Sequence, residues 1–252
     1  MMRSKMWGFA LALVLGLGSL AFADTGTAYD SQIQSKLGQQ LGSDKHLRDV
    51  RPMVKDGVVT LRGSVPLYQD KLNAEKKARK AGKVSAVRNL VQVTGKQISD
   101  AELASQLADK LRYDRYGFGH VFNVLTVGVN DGVVTLGGEV RDPADHASAM
   151  ALVANTPGVQ GVVDHVKVAP LSTYDDALRL RVLRAIYNDP VMLKYAMDPQ
   201  APIRVVVDGG HVALYGMVDN KMDKQIAGIR ASGVFGAFSV ENHLATADSV
   251  KR

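Results

Sequence analysis

Asp56-Gly-Val-Val-Thr-Leu61 recurs letter for letter as Asp131-Gly-Val-Val-Thr-Leu136, and a looser copy runs Gly209-Gly-His-Val-Ala-Leu214. Asp-Gly or Gly-Gly between apolar runs supplies the positive φ that a two-residue hairpin turn requires. Behind the first turn, Val59, Leu61, Gly63 and Val65 alternate with Val58, Thr60, Arg62 and Ser64, the period of a strand with one buried face. Gly63 recurs as Gly138 and Gly216, always on the inward parity. A glycine there marks a bulge or the close approach of a packed helix. The copies are 75 and then 78 residues apart, so the chain is a tandem repeat.

Each hairpin is preceded by one apolar stripe. Ile33, Leu37 and Leu41 stand at i, i+4 and i+8, as do Leu103, Leu107 and Leu111, and then Leu178, Val182 and Ile186. That spacing places each trio on one helix face. Ser99 with Glu102 reads as a capping box, Thr173 with Asp176 as a looser one, and Asp175-Asp176 as acidic residues at the positive end of a helix dipole. A second helix follows each hairpin, with Ala74 and Ala78 matched by Ala149 and Val153 and by Ala227 and Ala231. Pro66 and Pro143 lie near its start, where proline is tolerated. Each unit closes on a strand, at Val87–Val93, Val162–Val168 and Val240–Leu244. The expected fold class is α+β, as three tandem αββαβ modules, each a three-stranded sheet covered by two helices. They span 28–95, 98–170 and, in a divergent copy, 172–247.

Residues 1–23 have a different character. Arg3 and Lys5 precede an apolar run from Met6 to Leu20, which ends in Ala21-Phe22-Ala23. This is the pattern of a secretory signal peptide cleaved before Asp24, so the chain is expected in the periplasm, with no membrane-spanning segment after cleavage. The 252 residues contain no cysteine, which excludes disulfides, zinc–thiolate sites, thiol catalysis and a lipoprotein anchor. Export argues against nucleic acid as the partner for the excess of 31 basic over 25 acidic residues. The acidic materials of an envelope are phospholipid headgroups, lipopolysaccharide and peptidoglycan.

The pattern x-D-G-V-V-T-L-x-G-x-V, a small-residue helix and a closing strand opened by Gly82-Lys-Val84 or Pro157-Gly-Val159 resembles the BON domain, the module of OsmY-like periplasmic proteins. The third copy departs from it at His211, Ala213 and Phe235-Gly-Ala237. The resemblance implies a periplasmic protein linked to phospholipid binding and envelope integrity under osmotic or other stress, and it brings no catalytic motif. The alternative is a periplasmic protein-interaction or chaperone-like scaffold without lipid contact; a peptidoglycan or polysaccharide binder is a weaker third reading.

The residues themselves show no enzyme. Six histidines include no H-E-x-x-H or comparable ligand cluster, and there is no nucleophile elbow, Walker loop or dinucleotide fingerprint. No metal and no cofactor are expected. Two segments break the repeat. Residues 70–83 concentrate Lys71, Lys76, Lys77, Arg79, Lys80 and Lys83 against Asp70 and Glu75. Lys76, Lys77, Arg79, Lys80 and Lys83 are the candidate lipid-binding cations, with Lys76, Lys80 and Lys83 expected on one side of a helix. A solvated helix face is the plainer account of the same charge. The second copy is also five residues longer between helix and hairpin, because the helices are offset by 70 and the strands by 75. This insert carries Tyr113, Tyr116, Phe118 and Phe122. Tyr113, Tyr116 and Phe118 are candidates for an apolar lipid or partner contact; otherwise the aromatics cap the core of their own module. Anionic phospholipid is the expected partner, with envelope proteins as further candidates.

Overall fold

The computed structural model describes residues 25–113, 121–198 and 202–247. The expected leader at 1–23 lies outside them, as do Tyr116 and Phe118. The first module comprises α1 (Thr25–Gly42), β1 (Arg51–Lys55), β2 (Val58–Arg62), β3 (Ser64–Val65), α2 (Tyr68–Arg79), β4 (Ala86–Asn89) and β5 (Gln92–Val93). The second comprises α3 (Asp100–Tyr113), β6 (Val124–Asn130), β7 (Val133–Val140), α4 (Pro143–Ala154) and β8 (Gly161–Val168). The third comprises α5 (Thr173–Tyr187), α6 (Leu193–Ala196), β9 (Ile203–Asp208), β10 (His211–Val218), α7 (Lys221–Ser232), β11 (Ser239–Asn242) and β12 (Ala245–Thr246). This is an α+β chain of three like modules.

In each module the middle strand pairs antiparallel with its hairpin partner and parallel with the closing strand, which returns through a helix. The parallel register is the same throughout: Val58 faces Ala86, Val133 faces Gly161 and His211 faces Ser239, each 28 residues on. The turns are the expected ones. Asp56 and Gly57, Asp131 and Gly132, and Gly209 and Gly210 all hold positive φ, the primed turn whose twist matches the strands it joins. Both helices of a module lie on one sheet face. The stripes Ile33–Leu37–Leu41 and Leu178–Val182–Ile186 are buried, and so are Leu103 and Leu107, while Leu111 is partly buried. Across the sheet they meet Val59 and Leu61, Val134 and Leu136, and Val212 and Leu214. The small residues of α2, α4 and α7 are buried at every expected position, since only short side chains let a helix axis lie this close to a sheet.

The recurrent glycine answers to a strand, not to a helix. Gly63, Gly138 and Gly216 have φ of 126°, 103° and 117°. A Cβ on Gly138 would stand 2.0 Å from the carbonyl oxygen of Val124, and one on Gly216 would stand 1.8 Å from that of Pro202. The neighbouring backbone therefore excludes any side chain. The closing strand also differs from expectation: it is continuous only in β8, while the first and third modules break it into β4/β5 and β11/β12. At the break, Asn89 donates to the Lys71 carbonyl and accepts from the Val91 N–H, and Asn242 does the same with Lys224 and Leu244. Each asparagine ties the strand to its helix, and the local side-chain turn competes with the ladder.

Helix starts differ in detail. Ser99 accepts from the Glu102 N–H as the capping box requires, but α5 is capped by Ser172, one residue before Thr173. Pro143 occupies the first turn of α4, whereas Pro66 lies just ahead of α2.

Candidate functional site

The basic helix α2 forms because Ala74 and Ala78 face the sheet while Asp70 sits in the first turn and three cations sit in the last, both favourable to the helix dipole. Its five candidate cations separate into two groups. Lys77 lies 3.4 Å from Asp44, and Arg79 donates to Glu75 at 2.7 and 3.1 Å. The Arg79 guanidinium is the main reason that the Glu75 carboxyl sits below the usual range. Lys76, Lys80 and Lys83 are exposed and make no ion pair among the described residues. Lys83 is not on the helix. α2 ends at Arg79 with Lys80 as its C-cap, and Gly82, at φ 159°, leads the chain into the loop before β4. There the Lys83 N–H donates to the Tyr29 hydroxyl at 3.0 Å.

The repeat explains why Lys77 is occupied. Arg230 stands at the same position of the third module, and its guanidinium lies 2.6 Å from Asp189, the counterpart of Asp44. In both modules this pair fastens the second helix to the loop between first helix and hairpin. Net charge follows the modules. Residues 28–95 carry 13 basic and 6 acidic side chains, 98–170 carry 5 and 9, and 172–247 carry 8 of each. The basic surface is thus a property of the whole first module.

Of the aromatic candidates, Tyr113 is the last residue of α3 and its side chain is outside the described set. Phe122, from the same insert, is 4% exposed and packs with Val121 in the core of the third module. The Arg141 guanidinium lies 5.8 Å from its ring and 3.2 Å from Asp176 of α5. The end of the insert is therefore a joint between modules, which neither sequence reading of the aromatics anticipated. Between these modules a cleft of about 650 Å³ opens, lined in part by Leu111, Arg112, Val127, Arg204, Tyr215 and Met217. Burial holds the Arg204 guanidinium below its ordinary pKa, against the opposing pull of Tyr187 and with Arg112 adding to it.

Two sets of aspartates recur across the modules, and of them only Asp175 was legible in the sequence as a helix-start acid. Asp30 accepts from the Gly57 N–H, Asp100 from Asp131 and Gly132, and Asp175 from Gly209 and Gly210. In every module an acid of the first helix locks the hairpin turn, a role that its positions, 70 and 75 residues apart, could have suggested. The second set, Asp70, Asp145 and Asp223, is buried at the third position of the second helix. Asp223 accepts from the Tyr195 hydroxyl at 2.6 Å and pairs with Lys194 at 2.7 Å. Burial raises its pKa, but these bonds outweigh burial and hold it below the usual value. Asp70 has His46 at 3.8 Å and a backbone hydrogen bond at Leu67, but burial outweighs both and pushes its carboxyl up.

Among the described residues there is no group of three His, Asp or Glu side chains placed to hold a metal ion, and no helix long and apolar enough to cross a membrane. The family model described as BON domain matches the chain three times, at 29–95, 99–170 and 175–248. No curated protein matches it. Among solved structures the chain is similar to the C-terminal domain of CdsD, a structural protein of the type III secretion system of Chlamydia trachomatis. Identity is 15%, coverage is 86% of this chain and 96% of that one, and the TM-score is 0.25. A second CdsD structure is 16% identical over 89% and 95% of the two chains, with a TM-score of 0.24. Likeness at these scores carries no argument about function.

Proposed function

Because the chain belongs to the BON-domain family over three successive modules, we propose that it is an exported, non-enzymatic protein that binds anionic phospholipid surfaces and supports envelope integrity under osmotic or other stress. The supporting observation is the set of exposed cations Lys76, Lys80 and Lys83, which make no ion pair among the described residues, on a module with 13 basic and 6 acidic side chains. A basic residue near an anionic membrane contributes about 1 kcal/mol, within a Debye length of about 8 Å at physiological salt. Three such contacts give weak, reversible attachment.

Co-sedimentation with vesicles tests this reading. Binding is expected to require anionic lipid, to fall steeply with added salt, and to drop in the triple variant Lys76→Gln, Lys80→Gln, Lys83→Gln. Equal binding to neutral vesicles, or none lost in the triple variant, would leave these cations as a solvated surface and favour the scaffold reading. Export is checked separately: protein recovered from the envelope should begin at Asp24 by mass spectrometry.

A further inference from the structure

The face of the second helix that is cationic in the first module is apolar in the third. Ile229 of α7 occupies the repeat position of Lys76, and Phe235 in the following loop occupies that of Gly82. Ile229 is 68% exposed, Phe235 94% and Phe238 72%. The first two modules carry Gly82 and Pro157 where Phe235 stands, and Ser85 and Gln160 where Phe238 stands, so the aromatic corner belongs to the divergent copy alone.

Its geometry is set by the backbone. Gly236, at φ 98°, turns the chain between the two phenylalanines. The Phe238 ring stacks on Tyr174 at 6.3 Å and meets His211 edge-on at 6.1 Å. This leaves Phe235 standing clear of its own module. Part of the polar backbone around it is paired. Gly233, Val234, Ala237 and Phe238 donate their N–H groups to Ile229, Ala231, Val234 and Gly210, and the Gly236 carbonyl accepts from the Tyr174 hydroxyl at 2.6 Å. Each such pairing lowers the cost of bringing the loop to an apolar boundary, where an open N–H or C=O costs several kcal/mol.

We propose that the loop between α7 and β11 inserts Phe235, flanked by Phe238 and Ile229, into the apolar boundary of a lipid surface. The inference rests on the lipid reading above and assigns to the third module the apolar half of the contact. Three features single out lipid as the occupant. Phe235 is a protrusion, not a groove, and needs a deformable apolar phase more than a preformed pocket. It is phenylalanine, with no polar atom to be matched by a protein partner. A cation stands beside it: the exposed Arg181 guanidinium lies against Gly236, suited to the headgroups over such an insertion.

The test is position-specific. Phe235→Trp is made in the chain beginning at Asp24, which has no other tryptophan, and Thr126→Trp in the same chain serves as a control on an exposed strand position. With phosphatidylglycerol vesicles brominated in the acyl chains, Trp emission at 235 is expected to shift blue and to be quenched, while that at 126 is not. Phe235→Ser should weaken vesicle binding roughly tenfold with an unchanged melting temperature. Vesicles that sediment the protein without quenching at 235 would overturn the insertion and leave the lipid reading standing. Loss of all sedimentation would overturn both. A blue shift at 235 that grows with protein concentration in the absence of lipid would assign the corner to a second copy of the chain.

Discussion

Asp70 and Asp223 occupy one repeat position with opposite electrostatic consequences. The Asp223 carboxylate is held below its ordinary pKa of 3.8, so its pairing contributes stability above that value and loses it as pH falls through the lower folded value. Asp70 is raised, so its ionised form is a cost once pH exceeds the folded value, and that cost is absent below 3.8. Asp223→Asn should therefore lower stability at pH 7 by about 2 kcal/mol, the scale of breaking a buried charge-assisted hydrogen bond. Asp70→Asn should leave stability unchanged or increased at pH 7, with the difference closing by about pH 3. Urea denaturation of both variants at the two pH values checks this. Equal losses at pH 7 would mean that Asp70 has a partner as strong as Lys194 and Tyr195. At this scale the sequence showed which positions recur but not what they touch. A buried aspartate and an exposed one look alike until the loop between first helix and hairpin is folded over them.

Elements carry the repeat, and the glycine at its centre is a steric requirement. Gly138→Ala forces a Cβ to within 2.0 Å of a backbone oxygen at a φ that disfavours it. The second module is expected to lose about 3 kcal/mol or more, read as a collapse of amide protection across β6 and β7 in hydrogen exchange. The helix α2 divides by task. Lys77→Gln removes a fastener that is partly screened by solvent, and should lower stability by about 1 kcal/mol or less without the loss of vesicle binding expected at Lys76, Lys80 and Lys83. A loss of binding equal to theirs would place Lys77 among the lipid contacts. The repeat offsets alone align Lys77 with Arg230; that both meet an aspartate required the loops to be placed.

Across the whole molecule, the modules are not independent. Phe122 leaves the second module to enter the core of the third, and Tyr68 lies partly buried against the cores of both the first and the second. Phe122→Ala is expected to cost about 3–5 kcal/mol, but to weaken protection in α5, β9 and β10 more than in β6 and β7. Loss confined to the second module would show that the joint is incidental. The same coupling predicts that the second and third modules unfold together in denaturant. Limited proteolysis should then cut at 94–98 before 169–172.

Local pattern alone determined the three αββαβ units, their primed turns, the buried stripes of their first helices and the small-residue faces of their second. All of these follow from side-chain period and turn chemistry within a few residues. It also located the cationic stretch from Lys71 to Lys83. Only the tertiary structure decided that Lys77 is paired, because Asp44 reaches it from a different element. It decided that Lys83 falls beyond the helix, that Asp30, Asp100 and Asp175 lock hairpins far along the chain, and that Phe122 belongs to its neighbour's core. Period and propensity are short-range quantities. Ion pairs, buried acids and joints between modules are set by contacts between residues dozens of positions apart, which no local pattern encodes.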